Sequence, residues 1–132
     1  MKEHYRGLGH VAIYTEDMDK SIAFYEAIGG ALSRQASLQT PDGEKKLALV
    51  DFGGVTLELI QPPTPMPLTE GNVPHFAVYV DDIDQTAAEL KAAGVDSFMT
   101  PEKKVLPELF GGLENWFFTG PSGEQIELLK ML

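Results

Sequence analysis

Cysteine is absent from this chain. Disulfides, thiolate metal sites and cysteine nucleophiles are therefore all excluded. A run of apolar residues long enough for a signal peptide or a membrane span is also missing. These two absences lead us to expect a cytoplasmic protein.

Basic residues are few. The chain of 132 residues has 10 Lys and Arg against 20 Asp and Glu, which gives a net charge of −10 at pH 7. A phosphate backbone or an anionic membrane surface would be repelled, so we expect no nucleic-acid partner and no membrane partner. Hydrophobic residues make up 43% of the chain, which is enough for the core of one domain.

A phrase near the start of the chain recurs 65 residues later. "GHVAIYTEDMDKS", from Gly9, resembles "PHFAVYVDDIDQT", from Pro74, and the segments 10–29 and 75–94 share eight of twenty residues. Further on, "GVTLELI" resembles "GEQIELL" and aligns Glu58 with Glu127. We therefore expect one domain, 1–132, built from two copies of one unit. The copies span 7–61 and 74–130, and a Pro-rich linker, 62–73, joins them.

Each copy has the pattern of one strand, one helix and three strands. Alternation in "LGHVAIY" and "HFAVYV" predicts the first strands. Apolar residues at helical spacing follow, with Asp as the N-cap and Gly29 or Gly94 past the C-terminus. Turn residues then separate three predicted strands in each copy, at 31–39, 45–52 and 55–61, and at 97–100, 115–119 and 124–130. The stretch 101–114 is predicted to be a mobile loop that includes part of a strand.

Four polar residues share one face of the predicted strands. His10, Glu58, His75 and Glu127 each have apolar neighbours on the opposite face, which would pack under the helices. If the copies pair about a pseudo-twofold axis, one His and one Glu from each copy could meet in a single site.

The chemistry of these four side chains favours a metal. Two partly buried carboxylates would repel one another unless a divalent cation compensated their charge. Two imidazoles and two carboxylates suit Zn, Ni, Co, Mn or Fe(II). A lone His or Glu on a strand is more often structural or solvated, so the prediction depends on their joint repetition in both copies.

The sequence resembles the vicinal oxygen chelate superfamily, which includes glyoxalase I, methylmalonyl-CoA epimerase, extradiol dioxygenases and fosfomycin or bleomycin resistance proteins. The resemblance covers essentially the whole chain, through "GHVAIYTEDMDKSIAFYEAIGG", "VTLELIQP", "PHFAVYVDDIDQTAAELKAAGV" and "FFTGPSGEQIELL". It implies an α+β fold in which two paired βαβββ modules form a cupped mixed sheet around a central metal. It also implies that His10, Glu58, His75 and Glu127 are the ligands of one divalent ion.

Within this superfamily, a His/Glu/His/Glu set resembles that of glyoxalase I and the epimerase. It implies a lyase or isomerase that acts by proton transfer, through a metal-bound enediolate, on a small substrate with vicinal oxygens, with Glu58 or Glu127 as the base. The short connector from Glu58 to His75 is more similar to bacterial glyoxalase I than to the epimerase. Tyr14, however, stands where bacterial glyoxalase I usually has an arginine for the glutathione carboxylate, and "GPSG" replaces the usual "DPDG". Glutathione is therefore not implied as the substrate.

Two other functions stay open. Proteins of this shape also include non-catalytic modules that bind or sequester a small molecule, as some resistance proteins do. An Fe(II) extradiol-type dioxygenase would require that Glu58 is not a ligand. A homodimer is compatible with all three functions, because the sheets of this family often associate.

Overall fold

The computed structural model describes residues 10–65 and 75–132. The first module contains β1 (Val11–Tyr14), α1 (Met18–Ala27), β2 (Ala31–Thr40), β3 (Gly43–Asp51) and β4 (Thr56–Gln61). The second contains β5 (His75–Tyr79), α2 (Ile83–Ala92), β6 (Lys104–Leu106), β7 (Leu113–Thr119) and β8 (Gln125–Met131). A short 3-10 helix, Leu109–Gly111, precedes β7. The prediction of two βαβββ modules is confirmed.

The strands form two four-stranded mixed sheets with the same topology. The order is β1-β4-β3-β2 in the first sheet and β5-β8-β7-β6 in the second. In each sheet the first strand of the module runs parallel to the last, and the remaining neighbours are antiparallel. Strands β1 and β5 therefore occupy equivalent edges of the two sheets.

The helices begin at their predicted caps. The Asp17 carboxylate accepts a hydrogen bond from the Lys20 amide at 3.1 Å, and Asp82 accepts one from the Gln85 amide at 2.9 Å. Such caps satisfy amide groups that have no partner within the helix. The chain leaves each helix through a glycine with positive φ, 110° at Gly29 and 91° at Gly94.

One strand of the second module differs from the prediction. The segment 97–100 is not a strand, because only Phe98 forms a bridge, to Phe118. The second strand of this module is β6, which lies inside the stretch 101–114 that was predicted to be a loop with part of a strand. Pro101 lacks the amide that a continuing ladder would require, and the Trp116 indole donates to the Thr100 carbonyl at 3.0 Å.

One hydrophobic core unites the two modules. Its fully buried residues come from both sheets and both helices, and include Tyr25, Leu57, Leu59, Ile83, Phe118 and Ile126. The Tyr25 hydroxyl also donates to the Glu124 carboxylate at 2.7 Å, which links α1 to the second module. The apolar faces of both sheets are therefore covered.

The predicted boundaries of the repeat stay predictions, since most of the proposed linker, 66–73, lies outside the described residues. In the described ranges, neither helix is long and apolar enough to cross a membrane.

Candidate metal centre

The first candidate pair lies where β1 and β4 run side by side. Ala12 is in register with Glu58, and His10 immediately precedes β1 on the same face. The His10 Nε2 atom is 3.5 Å from Glu58 Oε1, and the side chains are 45% and 22% exposed. We call His10 and Glu58 the first half-site.

The second pair repeats this arrangement on β5 and β8. Ala77 is in register with Glu127, and His75 begins β5. The His75 Nε2 atom is 3.4 Å from Glu127 Oε1, and the side chains are 39% and 11% exposed. We call His75 and Glu127 the second half-site.

The alternation places the half-sites on the sheet faces that point away from the core. Val11 and Phe76, which follow the two histidines, pack against the core, while Leu57 and Leu59 on either side of Glu58 are fully buried. Each His and Glu therefore projects from one face of its sheet, and the opposite face of that sheet packs in the core. This is the face that the sequence pattern assigned to them.

The chain does not bring the two half-sites together. They lie on separate sheets, and residues 10–65 and 75–132 contain no group of three or more His, Asp or Glu side chains that could hold a metal. Two ligands are fewer than the three or four that protein metal sites normally provide. A four-ligand centre within one chain is therefore not present in this structure, and the ligand set stays a prediction.

Asn115 and Phe117, both on β7, support the second half-site. The Asn115 Nδ2 atom donates to Glu127 Oε2 at 2.8 Å. The Phe117 ring lies edge-to-face against the His75 ring, with centroids 5.0 Å apart. Sequence reasoning missed both contacts. The one available signal was the position of Asn115 two residues before Phe117, which puts both side chains on one face of the strand.

Among residues 10–65 and 75–132, the first half-site has no equivalent support. Leu49 is in register with Glu58 as Phe117 is with Glu127, and Leu47 occupies the position that corresponds to Asn115. Leucine offers neither a hydrogen-bond donor nor an aromatic edge. The two modules therefore share a backbone plan but differ in the side chains around their carboxylates.

An open cavity adjoins each half-site. The cavity beside Glu58 has a volume of about 570 Å³ and is lined by Arg34, Leu47 and Leu49 among others. The cavity beside His75 has a volume of about 420 Å³, and its lining includes Lys104 and Asn115. These volumes match a small molecule, and each cavity offers one basic side chain within a strongly acidic protein.

Comparisons with known proteins identify relatives of more than one kind. The sequence model of the Glyoxalase/Bleomycin resistance protein/Dioxygenase superfamily matches residues 7–128. The protein YwbC of Bacillus subtilis is 34% identical over 128 residues, covering 93% of this chain and 96% of YwbC. Human mitochondrial methylmalonyl-CoA epimerase is 29% identical over 106 residues, covering 74% of this chain and 59% of the epimerase.

Solved structures show the same fold. A glyoxalase family protein from Bacillus cereus superposes with a TM-score of 0.73 at 22% identity, over 95% of this chain and 93% of that chain. The fosfomycin resistance protein FosX from Listeria monocytogenes superposes with a TM-score of 0.66 at 21% identity, over 97% of this chain and 95% of that chain. At identities of 22% and 21%, these superpositions establish a shared fold. They do not establish a shared reaction or substrate.

Proposed function

Since the chain belongs to the Glyoxalase/Bleomycin resistance protein/Dioxygenase superfamily, we propose that it is a cytoplasmic, divalent-metal-dependent lyase or isomerase of the glyoxalase I type. Its substrate is a small molecule with vicinal oxygens. The observation that carries the proposal is the repetition of one His/Glu pair, in the same register, on equivalent strands of both modules. A single His/Glu pair could be an ordinary surface contact, whereas two pairs at equivalent positions favour a common functional role.

The donor atoms suit a divalent ion. His10 and His75 supply imidazole nitrogen, and Glu58 and Glu127 supply two negative charges that a dication would balance. Zn, Ni, Co, Mn and Fe(II) all accept this mixed set. When bound, the ion would polarise the two substrate oxygens and stabilise the negative charge that develops on proton loss. The protein would supply the base from Glu58 or Glu127 and would orient the substrate in the adjoining cavities.

A second copy of the chain would complete the centre. Strands β1 and β5 are sheet edges, and in residues 10–65 and 75–132 their outer sides pair with no other strand. Such edges readily pair with another chain. A twofold dimer that sets β1 beside the partner's β5 would join each first half-site to a second half-site from the other chain. Because the symmetry is closed, two identical four-ligand centres would result.

The cavities favour an anionic substrate. Arg34 lines the cavity at the first half-site and Lys104 lines the cavity at the second. A cationic group at a binding cavity of an acidic protein attracts negative charge locally, against the repulsion of the whole chain. Acyl-CoA thioesters and glyoxal adducts are therefore the first substrates to assay, and methylmalonyl-CoA is included because a relative is its epimerase.

Metal analysis tests the proposal. We expect about one Ni, Zn or Co per chain after stripping and reloading, and a loss of affinity of at least about tenfold in both Glu58→Ala and His75→Ala. Glu26→Ala, which removes an exposed helix carboxylate, is the matched control and should bind metal normally. Absence of stoichiometric metal under every loading condition would contradict the proposal.

A non-catalytic binding module is the second candidate. It is favoured by the separation of the two half-sites within the chain, because each open cavity could hold a small molecule without an assembled metal centre. Calorimetric binding of a compound by the metal-free protein, with no product formed, would support this candidate. Oxygen uptake with Fe(II) and a catechol would instead indicate the dioxygenase alternative, in which Glu58 is not a ligand.

A further inference from the structure

The two sheets differ at the edges that lie opposite β1 and β5. In the second sheet this edge is β6, which is only three residues long, includes Lys104 and is flanked by Pro101 and Pro107. Short length, lysine and proline are devices by which natural proteins keep an edge strand from pairing with another chain. The edge of the second sheet is therefore protected.

The equivalent edge of the first sheet is long and open. Strand β2 spans ten residues, contains neither proline nor lysine, and is exposed from residue 33 to residue 39. Among residues 10–65 and 75–132, its outer side pairs with no other strand. Amide and carbonyl groups along such an edge are a template for a further strand. Leu38, which is 57% exposed, adds a large apolar side chain to this edge.

The charge of β2 differs from that of the whole chain. The chain carries a net charge of −10, but β2 contains no carboxylate, and its one charged residue is Arg34. A second copy of this acidic protein would therefore meet less repulsion at β2 than at most of the surface. A bulge between Leu32 and Arg34 interrupts regular pairing at one end of β2, and Pro41 follows its last residue. We call the regular part between these limits, 34–40, the β2 edge segment.

We propose that the β2 edge segment pairs antiparallel with the same segment of a second copy of this chain, across a twofold axis at Ser37. Only the register that sets Ser37 opposite itself gives all seven residues of the segment a partner. In this register no charge faces a like charge, which would be destabilising. The other cross-strand pairs are Ala36 with Leu38, Gln35 with Gln39, and Arg34 with Thr40.

This pairing joins the first sheets of two copies into one sheet of eight strands. Leu38 gains an apolar neighbour, Ala36 of the other copy. Asp42 lies two residues beyond Thr40, in the turn that leads to β3, so its carboxylate comes near Arg34 of the other copy. This is an attraction between opposite charges at each end of the ladder. The edge is separate from β1 and β5, so the inference does not depend on the proposed metal centre.

The expected association is weak. Seven paired residues from each copy are fewer than the about 20 to 30 residues a side of a standard protein interface. The main contribution comes from backbone hydrogen bonds along the edge, with the pairs of side chains fixing the register. We therefore expect a concentration-dependent dimer rather than a permanent one.

Cysteine cross-linking tests the register, because the natural chain contains no cysteine. Residues opposite one another in an antiparallel pair have Cα atoms about 4.5–5.5 Å apart, within the range of about 4.4–6.8 Å that a disulfide spans. Under mild oxidation, Ser37→Cys should form a covalent dimer at least about tenfold faster than Glu26→Cys. Glu26 is an exposed residue of α1, so its cysteine variant reports random collisions.

A mixture of two variants gives a second readout. Gln35→Cys and Gln39→Cys should each cross-link slowly alone, because in the proposed register residue 35 of one copy faces residue 39 of the other. An equimolar mixture should form the mixed disulfide rapidly, which mass spectrometry would detect. All three substituted side chains are exposed, so the variants should fold, and urea unfolding of the reduced proteins checks this.

Two results of the cross-linking would overturn the inference. Ser37→Cys would react no faster than Glu26→Cys if the segments did not meet. Rapid cross-linking of Gln35→Cys or Gln39→Cys alone would show that the copies pair in another register.

Sedimentation equilibrium tests the same contact without cysteine. Ser37→Asp would place two carboxylates opposite one another and should weaken self-association about fivefold. Gln35→Asp adds the same charge opposite an uncharged glutamine and should weaken it less. Equal effects of the two substitutions would overturn the inference. Neither substitution would alter a dimer formed through β1 and β5, so the two assemblies are distinguishable.

Discussion

Tyr25 is a polar side chain at the centre of the core. It is fully buried, and its hydroxyl donates to Glu124 across the boundary between the modules at 2.7 Å. Burial raises the pKa of the Tyr25 phenol far above its usual value near 10, and the negative charge of Glu124 raises the pKa further. The folded protein therefore keeps this phenol protonated when an unfolded chain would ionise it.

The raised pKa predicts how stability depends on pH. The folded-state pKa of Tyr25 exceeds the unfolded value, so its contribution to the free energy of unfolding is complete below about pH 10 and falls as the pH rises above that value. Tyr25→Phe should lower the free energy of unfolding by about 2 kcal/mol at pH 7. It should also reduce the alkaline loss of stability, measured by urea unfolding between pH 7 and 10.5. Tyr79→Phe, at an exposed tyrosine, is the control. Identical alkaline slopes in wild type and Tyr25→Phe would contradict this account.

The sequence could predict which residues lie on the outward faces of the sheets, but it could not predict the side-chain contacts that position them. Strand alternation alone predicted the sheet faces on which His10, Glu58, His75 and Glu127 lie. In the structure these faces point away from the core. The contact between Asn115 and Glu127 depends on the register of β7 against β8, and a slip of one residue would turn Asn115 to the opposite face. Register is a property of the folded pair of strands, so a single strand's pattern could not reveal this contact.

At the scale of whole elements, the helices were predictable because their signals are local. An aspartate cap, apolar residues at helical spacing and a terminal glycine all lie within about a dozen residues of one another. Strand β6 carries no such local signal. It is only three residues long, and it is a strand because those residues pair with β7. The chain before it is held by Lys103, which lies 2.7 Å from Asp84 and 3.1 Å from Glu114. These contacts are distant in sequence and could not be read from a local pattern.

The cap of α2 offers a matched pair of substitutions. Asp82→Ala removes the acceptor of the Gln85 amide and should lower the free energy of unfolding by about 1 kcal/mol. The neighbouring Asp81 makes no such cap, so Asp81→Ala should change stability by less than about 0.5 kcal/mol. Both are measured by urea unfolding at pH 7. Equal effects of the two substitutions would show that general acidity before the helix, rather than the cap, stabilises α2.

At the scale of the whole molecule, the two-module architecture explains why the two His/Glu pairs of one chain lie apart. The core joins the modules through their apolar faces, so the faces that carry the half-sites point outward and lie on separate sheets. The repeat was visible in the sequence, but the way in which the modules pack was not. Pairing of equivalent edges between two chains would restore the convergence that the repeat suggested.

Mixing two defective chains tests this assembly. His10→Ala removes a ligand from the first half-site and His75→Ala removes one from the second, so each homodimer should lose high-affinity metal. In a heterodimer formed between chains, one centre would lack both histidines, whereas the other would combine an intact first half-site with an intact second half-site of the partner. A purified heterodimer carrying two different tags should therefore bind about half as much metal as the wild type.

If the centre formed within a single chain, each chain would still lack one histidine and mixing would restore nothing. A heterodimer of two His10→Ala chains with different tags is the control and should remain without metal under either geometry, so recovery in the mixed heterodimer alone would assign the centre to the interface.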